Sequence, residues 1–183
     1  MNLLVVVDMQ NDFIDGVLGS AEAQAIVPKV IERIKQAFND ENEFICFTKD
    51  THDAIDYPDS EEGKHLPIPH CLWTSAGWRI NKEIMDCLAK DKSNTEIYFN
   101  NKKTFGHNWE KEHWIHGYQI DTIEIIGLDT DFCVLANAMT LKAMFPNAHI
   151  VINAACCAGS TPEWHEKALD MLEHCHCEII NRD

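Results

Sequence analysis

The chemistry most worth seeking in this chain is that of Cys133, in the sequence GLDTDFCVLANA between an apolar strand-like run and a helical pattern. Thr130 or Asp131 is placed to cap that helix, which puts Cys133 in its first turn. There the positive end of the helix favours a thiolate, and free backbone N–H groups are available to a developing oxyanion. An inert core cysteine would have the same appearance. Asp8 closes the apolar run LLVVV, where a carboxylate is costly unless it is paired or at a rim. It is a candidate proton acceptor or a cap for the following turn. Lys102 and Lys103 follow a third strand in NNKKTFG, and nothing local chooses between them. Asp50, His52 and His70 offer one carboxylate and two imidazoles, a set suited to zinc, iron or manganese with positions left for water.

The elements that would position these groups alternate along the chain. Strand-like runs occupy 3–7, 43–48, 95–99, 122–128, 148–153 and 177–180. Helical spacing marks 22–38, 79–90, 108–116, 131–144 and 162–175, with Ile26, Val27, Val30, Ile31, Ile34 and Phe38 on one face of the first. Residues 49–78 lack periodicity and read as a functional loop. Strands apolar on both faces, separated by helices, predict a single-domain three-layer α/β/α fold over residues 1–183, with a six-stranded, mainly parallel doubly wound sheet. Ligands of such sheets bind beyond the carboxyl ends of the strands, which is where Asp8, the Asp50 and Lys102 segments and Cys133 fall.

Composition narrows the function classes. A formal charge of −15 opposes nucleic-acid binding, and no apolar run reaches the ~18 residues of a membrane span. The N-terminus lacks a basic signal-like region, so the eight cysteines are expected to be free thiols in the cytoplasm. The run His174-Cys175-His176-Cys177 alternates possible zinc ligands, but in a strand these point to opposite faces.

Four motifs in order, VVVDMQNDF, the Asp50/His52 and His70-Cys71 set, KKTFG and GLDTDFCVLANA, resemble those of the isochorismatase-like cysteine hydrolases, nicotinamidase-related branch. The resemblance spans residues 3 to about 180. It implies an Asp8–Lys102–Cys133 triad that cleaves a small-molecule amide through a thioester, and a metal held by Asp50, His52 and His70, zinc first and iron or manganese next. It also implies a non-proline cis peptide at Leu128–Asp129 that aims the N–H groups of Asp129 and Cys133 at the oxyanion, and a homo-oligomer. The aromatic residue that nicotinamidases often carry before the second metal histidine is missing from Leu66-Pro67-Ile68-Pro69, which leaves Phe13, Trp73 and Trp78 as candidate walls of the substrate pocket. Vinyl-ether or ureido hydrolysis on the same fold, and a non-catalytic binding role, are the alternatives.

Overall fold

The computed structural model describes residues 1–182. Six strands form one sheet in the order β3-β2-β1-β4-β5-β6: β1 Asn2–Val7, β2 Glu43–Asp50, β3 Ile97–Lys102, β4 Thr122–Leu128, β5 His149–Ala158 and β6 Glu178–Ile180. Every neighbouring pair is parallel. The helices are α1 Asn11–Ile14, α2 Ala21–Ala37, α3 Glu61–His65, α4 Lys82–Lys90, α5 Leu135–Met144 and α6 Pro162–His174.

Alternation along β1 explains the layering. Leu3, Val5 and Val7 enter one core with Val134, Ala138 and Leu141 of the α5 side and Leu169 and Leu172 of α6. Leu4 and Val6 enter the other, with Ile26, Val27, Val30 and Ile34 of α2 and Ile84 of α4. A strand buried on both faces has no need of polar residues, which is why β1 reads as a continuous apolar run. Ser20 and Thr161 start α2 and α6, each side chain accepting a hydrogen bond from the backbone N–H of the third residue on. At Gly127, φ is +116° and an added Cβ would lie 2.1 Å from the Val7 carbonyl oxygen, so glycine lets β4 close against β1 just before the site.

Several boundaries differ from expectation. The predicted helix at 108–116 is instead two short 3₁₀ turns, Trp109–Lys111 and Ile115–Gly117, because its aromatic residues are drawn into separate contacts rather than along one helical face. Trp109 is buried against His107, while Trp114 stacks on Tyr98. Strand β3 is shifted to end at Lys102, and β5 continues through Ala158, so that Asn153 lies within the sheet. Asn153 donates to Glu124, which with Glu43 holds the half-buried Arg33 guanidinium. The loop 49–78 contains α3 and a 3₁₀ turn at Tyr57–Asp59. All eight cysteines are free thiols. Helix α6 stops at His174, and Cys177 is buried in the core. Among the described residues, no helix is long and apolar enough to cross a membrane.

Candidate active site

Asp8 is the first residue beyond β1 and has a left-handed backbone, φ 46°. Such a conformation is sparsely populated for a side-chain-bearing residue and is kept here by its surroundings. Its N–H donates to the Thr48 carbonyl, and its Oδ1 accepts the Thr48 hydroxyl at 2.7 Å. Lys102, the last residue of β3, reaches under β2 to place Nζ 2.6 Å from Asp8 Oδ2. The same ammonium lies 3.3 Å from Cys133 Sγ, 3.1 Å from the Thr104 carbonyl and 3.6 Å from Asp50 Oδ1. Asp8, Lys102 and Cys133 are all buried. Lys103, the other candidate, is exposed.

Cys133 lies within a π-helical turn, Thr130–Val134, that leads into α5. The expected capping by Thr130 or Asp131 does not occur. Asp129 holds the cap position without a side-chain hydrogen bond, while Asp131 accepts from the N–H and hydroxyl of Ser160, and Thr130 meets His165 Nδ1 at 2.8 Å. Those contacts tie the turn to α6. The Leu128–Asp129 peptide is cis, as the resemblance implies. Asn137, one turn after Cys133, donates to the Cys133 carbonyl and accepts the His107 N–H.

The electrostatics correct one expectation. Burial pushes the Cys133 thiol well up, and the nearby Lys102 ammonium does not reverse it, with Asp8 and Asp50 also raising it. The resting group is a thiol rather than the thiolate that the helix start suggested. Burial also raises Asp8 against the opposing pull of Lys102. Burial would lower Lys102, but Asp8, Cys133 and Asp50 hold it well above its ordinary value, so it remains an ammonium.

Beside this cluster, Asp50, His52 and His70 come together with a residue the sequence reading missed, Glu62. One donor atom from each lies within 4.8 Å of all the others. His52 Nε2 is 2.8 Å and His70 Nε2 3.2 Å from Asp50 Oδ2, with Glu62 Oε1 3.7 and 3.5 Å from the two rings. Burial would push Asp50 up, but Lys102 and the two histidines hold it well below the usual carboxylate range. Burial would lower His70, yet Asp50 and Glu62 raise it to about 10. A buried and a half-buried carboxylate facing two imidazoles thus call for positive charge at their centre. Two nitrogen and two oxygen donors fit a divalent cation there. Glu62 sits in the first turn of α3, capped by Ser60. The run Ser60-Glu61-Glu62 was a legible helix start inside the supposedly structureless loop. Gln10, also missed, clamps the base of this group: Nε2 donates to the Asp50 and Trp78 carbonyls and Oε1 accepts the Asp50 N–H.

The three aromatic candidates separate. Phe13 is buried, with its ring 5.5 Å from that of His70. Trp78 is half-buried, donates to the Thr51 hydroxyl and lies under Lys49 Nζ. Trp73 is 64% exposed. A pair not anticipated, Phe105 and Phe132, has rings 5.2 Å apart, with Phe132 adjoining Cys133 in the chain.

Fold and site together define a doubly wound α/β protein whose reactive groups stand on the carboxyl rim of its sheet. The chain belongs to the isochorismatase family: the family model described as an Isochorismatase domain matches residues 2–183. It is 22% identical over 218 residues to the nicotinamidase of Saccharomyces cerevisiae, covering all of both chains. The structure of a pyrazinamidase/nicotinamidase from Streptococcus mutans superposes with a TM-score of 0.84 at 24% identity, covering 98% of this chain and 100% of that one. That of a pyrazinamidase from Pyrococcus horikoshii in complex with zinc superposes at 0.73, 24% identity and 99% of each chain.

Proposed function

We propose that the protein is an amidohydrolase that cleaves the C–N bond of a small-molecule amide through a thioester on Cys133. The observation that carries this reading is the single buried ammonium of Lys102, 3.3 Å from the Cys133 sulfur and 2.6 Å from Asp8 Oδ2. No well-aligned hydrogen bond reaches that oxygen, which leaves it a lone pair for a proton. Asp8 accepts the thiol proton and becomes a neutral acid as the sulfur attacks the amide carbonyl, and the Lys102 ammonium stabilises the negative charge that develops on the sulfur. The N–H groups of Asp129 and Cys133 receive the tetrahedral oxyanion. Asp8 returns the proton to the departing nitrogen as the C–N bond breaks. Water then attacks the thioester, giving a proton to Asp8 and releasing the acid, and the sulfur takes that proton back. Nicotinamidase and pyrazinamidase activities among the similar proteins support the amide as the bond attacked.

Asp50, His52, Glu62 and His70 would hold a divalent metal, zinc by preference as in the P. horikoshii protein, with iron or manganese as alternatives. Bound there, it supplies a fixed positive charge that orients a polar group of the substrate. Phe13 walls the pocket on the His70 side. The further reading is a homo-oligomer, which rests on the resemblance alone and which light scattering on the purified chain tests, in the cytoplasm, which rests on the free thiols.

Cys133→Ala is the decisive variant. It should abolish ammonia release from primary amides while keeping the circular dichroism of the parent. Ammonia released by that variant at the parent's rate, or a parent that yields pyruvate from a vinyl ether and no ammonia from any amide, would overturn the proposal.

A further inference from the structure

The sheet order puts β3 at one edge, with β2 and β1 between it and β4. Lys102 ends β3 and Cys133 follows β4, so no strand pairing fixes the distance between their side chains. The Lys102 ammonium has three N–H donors. Asp8 Oδ2 lies 2.6 Å from Nζ, the Thr104 carbonyl 3.1 Å and the Cys133 sulfur 3.3 Å. Thr104 belongs to the loop after β3. How closely the ammonium meets the sulfur therefore depends on how that loop sits against the turn that carries Cys133.

One side chain joins the two. Asn137 is the third residue of α5 and is fully buried. Its Oδ1 accepts the His107 N–H at 3.0 Å, and its Nδ2 donates to the Phe105 carbonyl at 3.2 Å and to the Cys133 carbonyl at 2.8 Å. Both amide hydrogens are thus used, and every partner is backbone. Among the described residues, no other hydrogen bond joins residues 103–108 to residues 129–144. Gly106, between the two tied residues, runs so close to α5 that an added Cβ would stand 3.3 Å from the Ala136 carbonyl oxygen and from the Thr140 methyl group. Asparagine is a poor helix former, and a buried amide is costly unless it is paired. Its place in α5 is explained by the tie it makes, not by the helix.

We infer that Asn137 is a positioning residue, whose carboxamide ties the loop after β3 to the Cys133 turn and so holds the Lys102 ammonium against the sulfur. The inference rests on the amidohydrolase reading, whose nucleophile it serves. Without the tie, the Thr104 carbonyl withdraws, and Nζ settles on the Asp8 and Asp50 carboxylates, away from the sulfur.

Alkylation of Cys133 by iodoacetamide at one fixed pH, followed by peptide mass mapping, reads the hold of the ammonium on the thiolate and needs no turnover. Withdrawing Nζ from 3.3 Å to about 5 Å, at an effective dielectric near 20, raises the thiol by roughly one pH unit. Asn137→Ala should therefore slow alkylation about tenfold. The Lys102→Met background tests the route: there, Asn137→Ala should change the rate by less than about twofold. Gly106→Ala presses on the same seam without unpairing a buried group. It should slow alkylation about twofold with Lys102 present and leave it unchanged in Lys102→Met, and it carries the test if Asn137→Ala loses the circular dichroism of the parent. An unchanged or faster rate in the folded variants, or the same fold loss with and without Lys102, overturns the inference. A loss that vanishes in Lys102→Met, in a protein whose parent releases no ammonia from any primary amide, leaves the role of Asn137 standing and removes the amidohydrolase reading.

Discussion

Replacing Lys102 by methionine keeps the length of the side chain and removes the charge that faces Asp8. At 2.6 Å and an effective dielectric near 20, the lost attraction is about 6 kcal/mol before any relaxation. Relaxation has an obvious route, since Asp8 is fully buried and takes up a proton instead of remaining an unpaired anion. That route sets the penalty. Against an ordinary value of 3.8, keeping the carboxyl neutral at pH 7 costs at most about 1.36 × (7 − 3.8), or about 4 kcal/mol, part of which the parent's raised Asp8 already carries. In a chain of this size that upper bound lowers the melting temperature by roughly 8 to 16 °C. The sign of the pH dependence follows. In the variant the folded-state pKa of Asp8 is raised further above its unfolded value than in the parent, because the opposing pull of Lys102 is gone. The folded state therefore binds the extra proton, and its stability deficit grows as pH rises from 3.8 toward that folded pKa. Moving from pH 7 to pH 5 should recover up to about 3 kcal/mol relative to the parent, less what the parent's own raised Asp8 gains over the same interval. Denaturant midpoints of parent and Lys102→Met at the two pH values measure it. A second arm is Asp8→Asn with Lys102→Met, which removes both charges and should be far less destabilised at pH 7 than the two single losses summed. A deficit in Lys102→Met that is the same at pH 5 and pH 7, or additive single losses, would refute a buried ion pair between these groups.

Glu62→Gln should weaken zinc retention at least tenfold, read as metal content after dialysis against a competing chelator; an unchanged content would remove Glu62 from the ligand set. Burial holds His107 and His165 below the ordinary imidazole value of 6.5. The unfolded chain therefore binds more protons below that value, and their contribution to stability is complete above it and is lost as pH falls through their folded values. Urea midpoints of the parent and His165→Gln between pH 7.5 and 5 test this: the variant should show a shallower loss, and an identical slope would show that His165 does not titrate with unfolding.

Local pattern was enough to place the layers. Five consecutive apolar residues before Asp8 require a strand covered on both faces, and the helical spacing from Ala23 to Ala37 requires a face turned to that sheet. Because ligands gather at the carboxyl ends of parallel strands, Asp8, Asp50, the Lys102 segment and Cys133 are legible as neighbours in the sequence alone. Ser60 and its acidic pair carried the signal for α3, overlooked because one short turn has too few residues to show a period. The ends of β3 and β5 and the broken segment around Trp109 were hidden for another reason: sheet register and the separate burial of two tryptophans decide them, and both are contacts between distant parts of the chain.

What tertiary structure alone decided is the state of the site. The position of Cys133 at a helix start pointed to a thiolate, but the depth of burial, which no local pattern encodes, makes it a thiol that needs Asp8. Lys102 and Lys103 differ only in which way the end of β3 turns them, one into the sheet edge and one to solvent. Asp129 shows the point most plainly. As a residue type before a helical turn it is a cap, and only the folded chain shows that its side chain makes no such hydrogen bond. Short-range sequence order governs which faces are apolar, whereas electrostatic free energy depends on distance and dielectric across the whole fold, and those are fixed when the elements pack.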